Sequence, residues 1–237
     1  MYLTRKRKSI ISEPTFLYKN TKKRQIEHDE NSNQDEHEQQ ISKLPVFENM
    51  FGEVNDVYIE ENHIYFRTDV ELDTVSRLCK LIQSYNNKVN ALQTHPLFES
   101  TTPKPIYLHI TTYGGCVHSS LLAHDCIKNS KIPVHTIIEG YCASGGTIMS
   151  LAGAKRYITS QAQVLIHQLR AGIYGKYNEI EEEMTNKKEM MKKIVKIYQT
   201  GTRGKMTKKQ IEDALKHDYW WDATKCISLG LCDSVYV

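Results

Sequence analysis

Gly140 to Ala154 reads GYCASGGTIMSLAGA, and the way the chain enters and leaves Ser144 decides the fold. Ser144 lies between small residues, Ala143 before it and Gly145-Gly146 after it. Upstream, Val134-His135-Thr136-Ile137-Ile138 is short and rich in β-branched residues, the pattern of a buried strand. Downstream, Thr147 to Ala154 is apolar and rich in small residues, which predicts the start of a buried helix. A serine at such a junction sits at the strand end, beside the unpaired N–H groups of a first helical turn. Acyl-transfer chemistry needs that combination of a nucleophile and donors aimed at a developing oxyanion. The same small residues also suit a neutral cap with close helix packing.

Further upstream, Ile106-Tyr107-Leu108-His109-Ile110 predicts another buried strand, running into Gly114-Gly115 and a helix over about 117–128. Paired glycines at a strand end mark a tight turn or a close backbone approach to a ligand. Earlier still, Leu72, Val75, Leu78, Cys79 and Ile82 recur at helical spacing, predicting an amphipathic helix over about 71–91. Val57-Tyr58-Ile59 and Ile64-Tyr65-Phe66 predict strands flanking a hairpin turn at residues 60–63, and Thr101 to Pro105 breaks the chain. Globular patterning begins near Phe47.

Downstream of Ser144, Lys155 to Thr159 and Val164 to His167 predict two short strands. Gly172 and Gly175 suggest an extended or hairpin excursion over 170–177. A long charged helix is expected over 178–199, with Ile180, Met184, Met191, Ile194, Val195 and Tyr198 on its apolar side. Thr207 with Gln210 three residues on reads as a capping box for a helix to Lys216. Asp222 to Leu229 predicts a further helix, ended by Gly230 in a left-handed conformation and followed by a strand at Ser234-Val235-Tyr236. Strands alternating with helices give an α/β class with mostly parallel strands and right-handed crossovers.

Composition bounds the function. The chain's 237 residues, 40% hydrophobic and 25% charged, are globular values that allow a large core. A formal net charge of +3 with mixed Lys and Glu argues against nucleic acid as a partner. No apolar run reaches a membrane span, and no apolar stretch follows the basic N-terminus as in a secretory signal. The six cysteines show no C-x-x-C pair, so they read as small apolar residues of a reducing compartment, pointing to the cytoplasm. Residues 1–45 carry basic clusters and a polar acidic tract without apolar surface to offset ordering entropy. They read as a disordered or removable N-terminal extension, leaving residues 46–237 as the folded domain.

A nucleophilic Ser144 requires a base, and the base an orienting acid. Of ten histidines, His167 has the best context, at the end of the strand Val164-Leu165-Ile166. His118 and His124 lie six apart, a poor spacing for metal ligation from one helix, and no metal or cofactor site is expected. Asp213, Asp218, Asp222 and Asp233 are all candidate acids. Asp213 falls inside a helix and Asp222 in a cap position, while Asp218 occupies the loop before Trp220-Trp221; spacing does not choose among them.

Residues 106–237 resemble the Clp-type serine peptidase family (ClpP). The resemblance is carried by Ile106-Tyr107-Leu108-x-Ile110 before Gly114-Gly115, Gly140-x-x-Ala143-Ser144 and Leu151-Ala152-Gly153-Ala154-Lys155-x-Tyr157. Further on it is carried by Val164-Leu165-Ile166-His167-Gln168, Gly172 and Gly175, Asp218 before Ala223, and Gly230-Leu231-x-Asp233-Ser234. It implies a ClpP/crotonase-like fold of repeated ββα units, with the helix from Asn178 as a protruding handle. It implies Ser144 as nucleophile, His167 as general base and Asp218 as the orienting carboxylate. Gly115 and Gly145 N–H groups would form the oxyanion hole. It further implies a homo-oligomer of heptameric rings, stacked in pairs, enclosing a chamber for unfolded protein substrates fed by an AAA+ unfoldase.

The sequence departs from the family pattern at four places. Tyr113 replaces Pro before Gly-Gly, Gly145 replaces the Met after the serine and should loosen that loop, and Leu169 replaces the Pro after His-Gln. Lys216-His217 replaces the Asp-Arg pair that links the rings. Two rival readings share the fold: a crotonase-type acyl-CoA enzyme, and a non-catalytic subunit of a mixed ring.

Overall fold

The computed structural model describes residues 56–94 and 102–237 and runs an eight-stranded sheet through them. The expected extension over residues 1–45, the Phe47 start and Thr101 of the expected break lie outside the described residues. β1 (Val57–Glu60) and β2 (His63–Phe66) pair antiparallel as the anticipated hairpin, turning at Glu61 with φ 54°. α1 (Leu72–Gln93) follows and buries Val75, Leu78 and Ile82. Leu72, expected on that face, is 65% exposed, because it is the first residue of the helix and precedes the turn that meets the core.

β3 (Ile106–Thr112), α2 (Val117–Lys128) and β4 (Val134–Ala143) form the centre. β2, β3 and β4 pair in parallel, as do β4 with β5 (Lys155–Ile158) and β5 with β8 (Ser234–Val235). The anticipated parallel α/β class is therefore present, and the order β1-β2-β3-β4-β5-β8 places β4 inside the sheet. Ile64, Ile106, Leu108, Ile110, Ile137 and Ile138 on these strands are fully buried.

β4 continues five residues past Ile138, the expected end of the strand. Its first half pairs with β5, at His135 to Ile138, and its second half pairs with β6 (Gln163–Leu165), at Tyr141 to Ala143. The change of partner needs a bend. Gly140 supplies it with φ 65°, and the β3–β4 register shifts there, from Ile110↔Ile138 to Thr112↔Cys142. A glycine in this place resembles the end of a strand, which is why the pattern concealed the second half.

α3 (Gly145–Ser150) begins directly after Ser144, two residues ahead of the expected start. Residues 166–176 carry neither helix nor strand, so the expected excursion is an extended connection and not a hairpin. α4 (Tyr177–Gly201) follows as the long charged helix. Of its predicted apolar face, Ile194, Val195 and Tyr198 are buried and Met191 packs against the core, whereas Ile180 and Met184 are 40% and 46% exposed. The first half of α4 thus carries apolar side chains that the described residues leave exposed.

α5 (Lys208–Ala214) has the Thr207–Gln210 capping box, with Thr207 Oγ1 accepting from Gln210 N. β7 (Trp220–Trp221) pairs antiparallel with β6, and α6 (Ala223–Leu229) is capped by Asp222 and ended by Gly230 at φ 78°. Arg156, almost fully buried on β5, fixes the C-terminal segment. It donates to Asp233 and to the carbonyl oxygens of Gly201 and Gly230. Among the described residues, no helix is long and apolar enough to cross a membrane.

Candidate active site

The carboxyl ends of β3, β4 and β6 lie side by side, since Thr112 opposes Cys142 and Ala143 opposes Leu165. Open parallel sheets bind ligands at this edge. Ser144, the residue after β4, has φ 53° and ψ −123°, outside the regions an L-residue ordinarily adopts. Strain of this kind is held in place only where the surroundings over-determine it. Here Ser144 N–H donates to Leu165 O at 2.9 Å, while Ser144 O accepts from Thr147 N at 3.0 Å and from Thr147 Oγ1 at 2.6 Å. Beneath them the buried Tyr198 hydroxyl bonds Thr147 Oγ1. Burial pushes the Tyr198 phenol well up, so it stays protonated and donates. The resulting chain runs from Tyr198 O–H through Thr147 O–H to the Ser144 carbonyl.

A cavity of about 390 Å³ opens over this turn and is lined by Ser144, Gly145, Gly115 and His167, with Tyr113 and Ile148 among its other walls. Gly114 and Gly115 take φ of 100° and 152°. A Cβ on Gly114 would lie 2.7 Å from Ser144 Cβ and 2.8 Å from Ala143 O, so the β3 turn reaches the serine only because that side chain is absent. Gly145 and Gly146 open α3, and their N–H groups have no intrahelical acceptor. A Cβ on Gly145 would stand 3.6 Å from Gly115 N and 2.1 Å from Ser120 Oγ. The anticipated loosening at Gly145 is not what the geometry gives: the space of a side chain there is filled by buried Ser120, whose hydroxyl donates to Cys116 O at 2.9 Å.

The other departures are also absorbed locally. Tyr113 stacks on Tyr141 with centroids 4.2 Å apart, and the glycine turn forms beside it. Leu169 supplies an N–H that proline would lack, and donates it to Met191 Sδ at 3.3 Å. His217 stacks on Tyr219, and Lys216 pairs with Asp213 at 3.8 Å.

The β6–β7 ladder runs the segment before Trp220 alongside the segment after Leu165. Val164 opposes Trp221 and Leu165 opposes Trp220. The ladder ends there, so His167 lies two residues beyond it on one segment and Asp218 two residues before it on the other. Past the ladder the register shifts, and Gln168 N donates to Leu215 O at 2.7 Å. All four candidate acids have partners: Asp218 accepts from Arg170, Asp222 caps α6 by accepting from Lys225 N, Asp213 sits on α5 beside Lys216, and Asp233 pairs with Arg156 and Arg203. Burial alone raises the Asp233 carboxyl, but the Arg156 hydrogen bonds and charge, with Arg203, more than offset this and hold it low.

Ser144 and His167 therefore share one cavity, whereas Asp218 stands outside its walls with its carboxylate turned to Arg170 Nη2 at 2.9 Å. His167 Nδ1 lies 2.6 Å from Gln168 O. A carbonyl can only accept, so Nδ1 carries a proton, and in the neutral ring Nε2 then holds the lone pair. Several lining residues carried no sequence signal. His118 and Cys116 both face the cavity, and hydrogen bonds from the Ser119 backbone and hydroxyl hold the Cys116 thiol below its ordinary value. The position of Cys116, directly after Gly-Gly at the head of α2, was the one available hint. Among the described residues, no group of three or more His, Cys, Asp or Glu could hold a metal ion.

The description of the Clp protease family matches residues 72–237, which takes in every element from α1 onward. The chain belongs to the Clp protease family. The ATP-dependent Clp protease proteolytic subunit of Streptococcus mutans serotype c is 33% identical over 159 residues, covering 63% of this chain and 79% of that protein. Proteolytic subunit 1 of Chlamydia muridarum is 30% identical over 142 residues, covering 58% and 73% respectively. As a Clp protease family member the chain is a serine-type peptidase on a ClpP-type α/β fold, as the sequence resemblance implied. Membership also implies an oligomeric assembly.

Proposed function

We propose that this chain is the proteolytic subunit of a chambered protease that cleaves peptide bonds of unfolded proteins through Ser144, His167 and Asp218. The observation that carries the reading is Ser144 at φ 53° and ψ −123°, aimed into a cavity it shares with His167 and Gly115. Ser144 Oγ attacks the scissile carbonyl while His167 Nε2 takes its proton. Asp218 accepts from Nδ1–H and stabilises the imidazolium, and His167 then protonates the leaving amine. Water repeats the sequence on the acyl-enzyme. The Gly115 and Gly145 N–H groups receive the oxyanion, each donor of this kind contributing about 3 kcal/mol to the transition state.

The folded peptidase unit is residues 46–237, with 1–45 a separate extension. The uncovered Ile180 and Met184 on α4 support a handle that packs against another copy, in heptameric rings stacked in pairs. The relatives' names, ATP-dependent Clp protease proteolytic subunits, support dependence on an ATP-driven partner. Bacterial relatives, and six free cysteines, support a cytoplasmic setting. A second reading, a non-catalytic subunit of a mixed ring, draws its support from Asp218 facing Arg170. Hydrolysis of an unfolded protein by the purified chain, compared with Ser144→Ala and His167→Ala of unchanged assembly size, separates the two. Activity that survives Ser144→Ala would refute the peptidase site; an assembled wild type without hydrolysis would favour the scaffold.

A further inference from the structure

His167 lies two residues past the β6–β7 ladder and Asp218 two residues before it, and the two side chains bond elsewhere. Asp218 accepts from Arg170 at 2.9 Å, and His167 donates from Nδ1 to the Gln168 carbonyl at 2.6 Å. The Gln168 carbonyl thus stands where a triad carboxylate would. It fixes the tautomer that leaves Nε2 free to act as base, but a neutral oxygen stabilises a developing imidazolium less than a carboxylate does. Arg170 follows His167 by three residues in an extended connection, so its guanidinium reaches Asp218 from the same strip of chain.

Given the peptidase reading of this site, we infer that Arg170 is a positioning residue that holds Asp218 off His167, so that the triad exists in a latched and an armed arrangement. In the latched arrangement Arg170 binds Asp218 and Gln168 O binds His167. In the armed arrangement Asp218 releases the guanidinium and accepts from His167 Nδ1–H. The barrier to exchange is low because the latch lies in water: the Arg170 and Asp218 side chains are 77% and 56% exposed. An ion pair this exposed biases the two arrangements by no more than about fivefold, and salt weakens it.

The test is the rate at which a fluorophosphonate labels the full-length assembled protein, measured between low and high salt for wild type, Arg170→Gln and Arg170→Lys. Arg170→Gln is expected to label up to about fivefold faster at low salt and at the wild-type rate in about 0.5 M salt, where the Debye length falls below about 5 Å. Wild type should speed up with salt toward the variant's rate, and Arg170→Lys, which keeps the charge, should behave as wild type. In an Asp218→Asn background the Arg170→Gln gain should vanish, because Arg170 acts only through that carboxylate. A merely structural role for Arg170 would give neither the salt convergence nor this dependence. Equal or slower labelling of Arg170→Gln at every salt concentration overturns the latch while leaving the peptidase reading intact. If wild type and Arg170→Gln, both folded and assembled, never label, the peptidase reading falls and the latch with it.

Discussion

The buried hydroxyl pair under the serine turn offers a quantitative test of how the strained conformation is held. Thr147 and Tyr198 are each about 1% exposed, and Thr147 Oγ1 both receives the Tyr198 hydroxyl and donates to Ser144 O at 2.6 Å. Thr147→Val removes the acceptor of a buried phenol, leaving it unpaired at a cost of about 1–3 kcal/mol. It also deletes the bond to the Ser144 carbonyl, worth about 1 kcal/mol, although that oxygen keeps the Thr147 N–H at 3.0 Å. The single variant should therefore lose roughly 2–4 kcal/mol. Tyr198→Phe removes one neutral bond without orphaning a donor and should cost about 1 kcal/mol. The double variant contains no buried hydroxyl at either position, so it should be about 1–2 kcal/mol more stable than the sum of the singles predicts. Urea unfolding at one fixed protein concentration measures this, the concentration being held because assembly shifts apparent stability. Strict additivity would refute the hydroxyl chain.

Gly114→Ala should abolish fluorophosphonate labelling, because its Cβ would stand 2.7 Å from Ser144 Cβ at φ 100°. Gly204→Ala, at φ 81° with no atom within 4 Å, should cost only about 1 kcal/mol and label normally. Comparable labelling by the two variants would contradict the placement of the β3 turn. His63 and His135 are both held below the ordinary imidazole range by burial, followed by the charge of His109 and Lys155 respectively. The unfolded chain therefore binds more protons between the lowered values and about pH 6.5, so stability is full above that pH and declines below it. Urea midpoints at pH 8 and pH 5.5 should show the decline, and it should be shallower in His63→Gln/His135→Gln. An unchanged slope in that variant would rule out these imidazoles as the source.

What the sequence made legible was local. The Ser144 turn could be read because strand, small residues and helix follow one another within about 15 residues, and the Thr207 and Asp222 caps because a cap bonds three residues ahead. β4 was cut short because Gly140 marks a bend that looks like an end until the change of partner from β5 to β6 is visible. β7 was missed because two tryptophans become a strand only by pairing with β6. Ser120 against Gly145, Tyr198 under Thr147 and Arg170 on Asp218 are contacts between residues 25, 51 and 48 apart, and no local pattern announces such a contact. On α4, helical periodicity identified an apolar stripe but not how far along it this chain's own core extends.

The proposed chemistry turns on one hydroxyl. Full-length protein treated with a fluorophosphonate, digested and mapped by mass spectrometry should carry the phosphonyl group on Ser144 alone, with none in Ser144→Ala or after unfolding. A folded, assembled protein that stays unmodified at Ser144, or takes the label equally on Ser119, Ser120 or Ser150, would contradict it.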